Sequence, residues 1–185
     1  EAVEELARRY RVRIVVRTGQ RGLSSAVLRG FEESAGGVLV VMDADLQHPP
    51  ECIPELVACI TEDRADFVIG SRYVGLGAVD GDWPWHRRIN SGVATWLARP
   101  LTKVRDPMSG FFALARETWQ GAARLNPVGY KIGLELMVKA RCRRCLEVPI
   151  AFADRHKGAS KLTLGQQLRY LQHLLRLYRF RLIGR

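Results

Sequence analysis

No stretch of this 185-residue sequence approaches the roughly 18 consecutive apolar residues that a membrane-spanning helix requires. Cysteine is scarce, and of the four only Cys142 and Cys145 stand as a CxxC. With no second CxxC and no paired histidines, a structural zinc site is not expected. Cys52, Cys59, Cys142 and Cys145 are read instead as reduced, partly buried thiols on helices in a cytoplasmic setting. His48, His86, His156 and His173 sit in unrelated contexts, so no general base stands out. Repeats, low-complexity tracts and linker-like stretches are also missing, which argues against division into several domains. Residues 161–185 contain no acid. No nucleic-acid-binding motif is recognisable, and the cations are not interleaved with stacking aromatics. Nucleic acid is therefore not an expected partner, and a non-catalytic anion- or nucleic-acid-binding module stays as a rival reading.

What is present fits one globular unit. Apolar residues make up 47% and charged residues 26%, values ordinary for a folded domain and too apolar for a disordered tail. A chain of this length buries a sizeable core without disulfides. The formal charge of +10 is unevenly spread: residues 1–70 hold 12 acids against 8 bases, residues 71–185 hold 7 against 21. The second part is suited to meet anions, whether nucleic acid, a phosphorylated small molecule or an acidic membrane surface.

Along the chain, residues 1–10 read as a helix and Val12 to Val16 as a short β-branched strand. Residues 24–35 read as a helix capped by Ser24. Val38 to Met42 is an unbroken apolar run, the pattern of a strand covered on both faces. Pro49 and Pro50 open the next helix, and Asp66 to Gly70 gives another buried strand. Residues 75–85 read as a loop, 86–103 as a helix, and Phe111 to Ala115 as a strand. Helices follow near 116–123 and 132–143, then a strand from Leu146 to Phe152, a basic loop at 153–162, and a helix over 163–183. Strands alternating with helices of this length predict an α/β fold with a mostly parallel sheet.

The strongest local signal is Asp43-Ala44-Asp45-Leu46-Gln47, directly after the apolar run. Ligands of open α/β sheets bind beyond the carboxyl ends of strands. Two acids one residue apart in extended chain point to the same side. They repel unless a cation lies between them, and Mg2+ or Mn2+ favours such oxygens beside substrate phosphates. Arg72 follows a buried strand and a glycine. Arg87 and Ser91 stand four apart on a predicted helix and share a face. Arg155, Lys157 and Lys161 lie in a loop with Gly158, suited to close over an anion. Asp106 and Gly110, within RDPMSGFF, read as a turn leading into a strand. In the last helix, Leu164, Leu168, Leu171, Leu175 and Leu182 follow helical spacing beside arginines. That stripe suits a membrane interface, or packing onto the chain's own domain.

The stretch RTGQRGLSSAVLRGFEESAGGVLVVMDADLQHPPE resembles the middle of family 2 glycosyltransferases. Downstream, GSRY at 70–73, WPWHRRINS at 83–91, RDPMSGFFALAR at 105–116 and EVPIAFADRHKGASKL at 147–162 resemble, in that order, the polyprenyl-phosphate (dolichol-phosphate) mannose synthases. The resemblance implies a GT-A-type, Rossmann-like fold and an inverting transfer of mannose from GDP-mannose to a polyprenyl monophosphate, with a divalent metal. It implies metal-binding positions at Asp43, Asp45 and Gln47. It implies donor- or acceptor-phosphate contacts at Ala44, Arg72, Arg87, Ser91, Arg155 and Lys161. No protein base is needed, because the acceptor phosphate is the nucleophile.

The same resemblance sets further expectations. Residues 1–162 would form the glycosyltransferase domain, and 163–185 a peripheral helix at the cytoplasmic face of a membrane, with transmembrane helices in some relatives beyond this point. Relatives begin with a strand, a helix and a second strand that hold the base and ribose. None of these precedes Glu1, so an amino-terminal truncation is expected, with a gap in the centre of the sheet between the Val12–Val16 and Val38–Met42 strands and without normal catalysis from the chain alone. Transfer of a UDP-sugar such as UDP-glucose to undecaprenyl phosphate is the enzymatic alternative.

Overall fold

The structure is a computed structural model and describes residues 2–19, 21–45, 47–75, 78–79, 85–126, 131–152 and 164–184. In chain order its elements are α1 (Ala2–Arg9), α2 (Leu23–Glu33), β1 (Val38–Val41), a 3-10 turn (Pro50–Cys52) and α3 (Ile53–Thr61). Then come β2 (Phe67–Ser71), β3 (Ala78–Val79), α4 (Trp85–Ala98), β4 (Phe112–Ala115) and α5 (Arg116–Gln120). α6 (Ile132–Lys139), β5 (Cys145–Pro149), β6 (Ala151–Phe152) and α7 (Leu164–Ile183) complete the order.

The main sheet has the order β1-β4-β2-β5. β1, β2 and β5 run in one direction, while β4 lies antiparallel to both β1 and β2. β3 and β6 form a separate parallel pair. The two faces of the sheet follow from the alternation of side chains along a strand. Phe67, Ile69, Phe112 and Leu114 point into one core with α6 and α7, and the rings of Phe67 and Phe112 stack at 5.0 Å. Val68, Phe111, Ala113 and Val148 point into the other, against Leu56, Cys59 and Ile60 of α3. Each fully buried large side chain contributes about 1.5–3 kcal/mol relative to exposure.

α7 is built into the first core through Tyr170, Leu174 and Leu177. It also bonds backbone carbonyls of α4 and of the segment that follows it. Tyr170 donates to Ala94 O at 2.7 Å, Tyr178 to Leu97 O, and Arg181 to Leu101 O at 2.7 Å.

Several sequence expectations shift. The segment Val12 to Val16 is not a strand: it pairs with nothing among the described residues, and Val16 is 82% exposed. β-branched propensity alone does not make a strand without a partner. Helix α2 starts at Leu23 rather than at a Ser24 cap. Gly22 occupies the cap position with no side-chain bond, at φ 127, and Ser24 is buried. β1 is only partly covered, because among the described residues it has one neighbour; β2, with neighbours on both sides, is buried throughout. α4 ends at Ala98, not 103, since Pro100 lacks a donor and disfavours helix in the residue before it. α6 ends at Lys139 because Arg141 turns left-handed (φ 53), so the CxxC lies at the turn into β5 rather than inside a helix. All four cysteines are free. The proposed boundary at 162/163 and the basic loop before it lie outside the described residues.

Gly70 fits its place because β2 passes tightly over an aromatic ring. A Cβ there would come within 2.6 Å of Phe111 Cδ1 and 3.2 Å of Ile150 Cγ2. Gly70→Ala is expected to destabilise the fold by about 1–3 kcal/mol through overpacking, read as a lower midpoint in urea unfolding with an unchanged slope.

Candidate functional site

The site is assembled at the carboxyl ends of β1 and β2. β1 delivers Asp43-Ala44-Asp45 as it leaves the sheet, and the following residues fold back on themselves. The Gln47 N–H donates to Asp45 Oδ1 at 3.2 Å, and the Asp43 N–H donates to His48 Nδ1 at 3.3 Å. Gln47 and His48 are both buried. The His48 ring packs against Phe111 at 5.3 Å. Burial pushes the His48 pKa below its ordinary value, against the opposing pull of Asp43 and Asp45. The neutral ring can therefore accept from the Asp43 backbone, which fixes where the first aspartate begins.

The second wall is the 105–111 segment that enters β4. Gly110 lies against Asp43, where a Cβ would stand 3.1 Å from Asp43 Oδ2. Ser109 holds this segment to β2 by donating its hydroxyl to Gly70 O at 2.8 Å. Asp106 is fully buried and grips Arg72 in a fork: Nε to Oδ2 and Nη2 to Oδ1, both at 2.7 Å, with the Arg72 N–H adding a third bond at 3.1 Å. Burial works against the Arg72 charge, yet the bonds and charge of Asp106 outweigh it and raise the guanidinium pKa. Glu147 of β5 braces the turn by accepting the N–H groups of Arg105 at 2.8 Å and Asp106 at 3.0 Å. Removing one partner of such a buried pair costs roughly 3–5 kcal/mol.

Lys131, just before α6, completes the arrangement. Its Nζ donates to Met108 O at 2.9 Å, within electrostatic reach of Arg72, Asp106 and Asp43. Burial and then the Arg72 charge lower its pKa to about 8, while Asp106 and Asp43 pull the other way. Sequence reading missed this residue. A single lysine in GYKIG carries no motif, and only the packing of α6 brings it to the carboxylates.

Of the residues singled out by sequence, the structure gathers Asp43, Ala44, Asp45, Gln47 and Arg72 at one sheet end, with Asp106 and Gly110 beside them. Arg72 arrives with much of its fork already engaged by Asp106, in place of the open phosphate fork that the sequence suggested. Arg87 and Ser91 fall on α4, one turn apart, and their side chains are outside what is described. Arg155 and Lys161 lie outside the described residues. Among the described residues, no group of three or more His, Cys, Asp or Glu side chains comes together as a metal cluster.

A family model described as glycosyl transferase family 2 matches residues 1–119, more than half of the chain. The chain belongs to glycosyl transferase family 2. Curated relatives include proteins named dolichol-phosphate mannosyltransferase from Mycosarcoma maydis, 50% identical over 93% of this chain and 59% of its own length, and from Pyrococcus furiosus, 46% identical over 97% and 51%. A Saccharomyces cerevisiae protein of the same name is 47% identical over 98% of this chain and 70% of its own. The chain thus spans between about half and 70% of the length of these family members.

Among solved structures it is similar to glucosyl-3-phosphoglycerate synthase from Mycobacterium tuberculosis. In complex with Mn2+, UDP-glucose and phosphoglyceric acid, that enzyme gives a TM-score of 0.59 at 19% identity, over 91% of this chain and 56% of the other. Its Mg2+ and UDP complex gives 0.58 at 18%, over 91% and 56%. At this identity the likeness concerns the fold, which is the GT-A-type α/β fold expected from the sequence.

Lys131 offers a pH signature. Its folded pKa of about 8 lies below the ordinary 10.5, so the unfolded chain holds the proton over a range where the folded chain has released it. Stability from this group therefore rises as pH climbs from about 8 towards 10.5. Urea unfolding across that range is expected to show the native chain gaining stability relative to Lys131→Met, with a constant difference below pH 7.

Proposed function

We propose that this protein takes part in the inverting transfer of mannose from GDP-mannose to a polyprenyl monophosphate such as dolichyl phosphate. The observation that carries this reading is the paired carboxylate sequence Asp43-Ala44-Asp45 at the end of β1, faced by the Gly110 turn and by the cations Arg72 and Lys131. The names of the relatives supply the mannose and the dolichyl phosphate.

The donor set suits a hard divalent ion. Asp43 and Asp45 supply carboxylate oxygens and Gln47 a carboxamide oxygen, a set that leaves positions for phosphate oxygens and water as Mg2+ or Mn2+ prefers. When bound, such an ion stabilises the charge that develops on a leaving diphosphate. Gly110 leaves room at Asp43 by having no side chain, so the carboxylate stands against the floor of the cleft. Asp106 keeps Arg72 charged and rigid, and Lys131 adds a second positive charge beside it. Two anionic reactants, the diphosphate of the donor and the phosphate of the acceptor, repel each other, and fixed cations lower that cost. An acceptor phosphate oxygen is anionic at neutral pH and attacks the anomeric carbon without a protein base. Within the same reading, Arg87, Ser91, Arg155 and Lys161 contact donor or acceptor phosphates, and residues 1–162 form the catalytic domain.

A lipid acceptor has to be met at a membrane surface. Among the described residues, no helix is long and apolar enough to cross a membrane. α7 nevertheless leaves Leu168, Leu171, Leu175 and Leu182 exposed on the side away from its core contacts, and α4 exposes Val93 and Trp96. With Arg169, Arg176 and Arg179 on the same helix, this side of α7 suits peripheral attachment, apolar residues in the acyl boundary and arginines near lipid phosphates. We place it at the cytoplasmic face of the membrane.

Asp45→Ala is expected to abolish Mg2+- or Mn2+-dependent transfer of radiolabelled mannose to a polyprenyl phosphate, with the unfolding midpoint close to that of the native protein. Undiminished transfer would remove the metal role. For membrane attachment, Leu168→Ser with Leu175→Ser should cut co-flotation with liposomes several-fold; unchanged flotation would assign the exposed leucines to another surface.

A further inference from the structure

A cavity of about 380 Å³ opens between the 123–126 segment, α6 and α7, and none of its lining residues belongs to the carboxylate site. It lies farther along the helix that Lys131 introduces: Glu135 and Lys139 follow at steps of four residues, about 6 Å each. Arg124, Arg176 and Arg179 line its open side. Buried Glu135 lies among its lining residues, and Glu135 Oε1 accepts from the Asn126 N–H at 2.7 Å and from Lys139 Nζ at 2.6 Å. Lys139 donates its second bond to Arg124 O at 2.7 Å. The Glu135 and Lys139 charges cancel, so three guanidinium groups set the sign of the cavity.

The other carboxylate oxygen, Glu135 Oε2, is buried and meets no hydrogen-bond donor among the described residues. Buried polar atoms without a partner are rare in folded proteins. A ligand that satisfies both features carries an anionic group for the arginines and a hydrogen-bond donor for Oε2. Arginine forks match phosphate oxygens in particular. Arg179 stands four residues after Leu175 and three before Leu182, so the cavity's rim borders the exposed leucines of α7.

We propose that this cavity is a second anion site, separate from the donor and acceptor phosphates, which takes a phosphate ester bearing a neighbouring hydroxyl or amine. The phosphoryl group lies among Arg124, Arg176 and Arg179, and the neighbouring donor reaches Glu135 Oε2. A phospholipid headgroup and a small soluble phosphate ester share this chemistry.

The test is calorimetric titration of the protein in EDTA with glycerol 1-phosphate and with inorganic phosphate, alongside flotation on phosphatidylcholine vesicles with and without phosphatidylglycerol. Arg176→Gln/Arg179→Gln changes two exposed side chains and leaves the core intact. The expected result is that glycerol phosphate binds more tightly than inorganic phosphate, and that the double variant weakens it by about tenfold or more. Lys131→Met and Asp45→Ala should leave that binding unchanged. Binding of glycerol phosphate by the native protein, with no phosphatidylglycerol-dependent gain in its flotation, would identify a soluble ester as the ligand. A phosphatidylglycerol-dependent gain in flotation that the double variant removes, and that glycerol phosphate competes away, would identify a headgroup. Equal binding by the double variant, binding lost in Lys131→Met instead, or no binding of any probe would overturn the proposal.

Discussion

The buried pair of Arg72 and Asp106 is the joint on which the site depends. Arg72 leaves β2 and Asp106 precedes β4, so their fork ties an exit loop of one strand to an entrance loop of the next. Glu147, from β5, holds the same turn by its backbone. Three strands are thereby fastened at one sheet end, and Gly110 is carried against Asp43 as a result. Without that fastening, the carboxylates after β1 would face a loop free to move. The low exposure of the pair makes it costly to break, and the bonds and charge of Asp106 keep Arg72 charged against that burial, so one interaction serves both rigidity and electrostatics.

Much of this was legible in the sequence because the signals were local. An apolar run ending in Asp43-Ala44-Asp45 carries its own placement, since strand pattern and acid spacing agree. The strands around Phe67 and Phe112 were likewise visible as apolar runs, while the strand expected from Leu146 to Phe152 is divided at Ile150 between β5 and β6, which belong to different sheets. The site's electrostatics were not legible. Arg72 and Asp106 are 34 residues apart, and nothing in either segment names the other. Lys131 becomes part of the site only through the docking of α6. Segment 12–16 shows the converse error: Val12, Ile14, Val15 and Val16 have strand propensity, but propensity supplies no partner.

α7 divides its side chains between two environments. Tyr170, Leu174 and Leu177 face inward, while Leu168, Leu171, Leu175 and Leu182 of the stripe grouped by the sequence face outward. A helical-wheel reading finds the stripe but does not say which apolar set the domain claims. The aromatic hydroxyls go with the inward set, where Tyr170 and Tyr178 bond carbonyls of α4 and tie the two helices together.

The reversed direction of β4 has a consequence for how the cleft is enclosed. In a sheet whose strands all point one way, the chain reaches a ligand only as it departs from the sheet. A single counter-running strand lets it arrive there as well, so one wall is built by departing chain and the opposite wall by returning chain. Such a cleft is bounded by segments remote in sequence, and substitutions in either can reshape it while the strands between them keep their alignment.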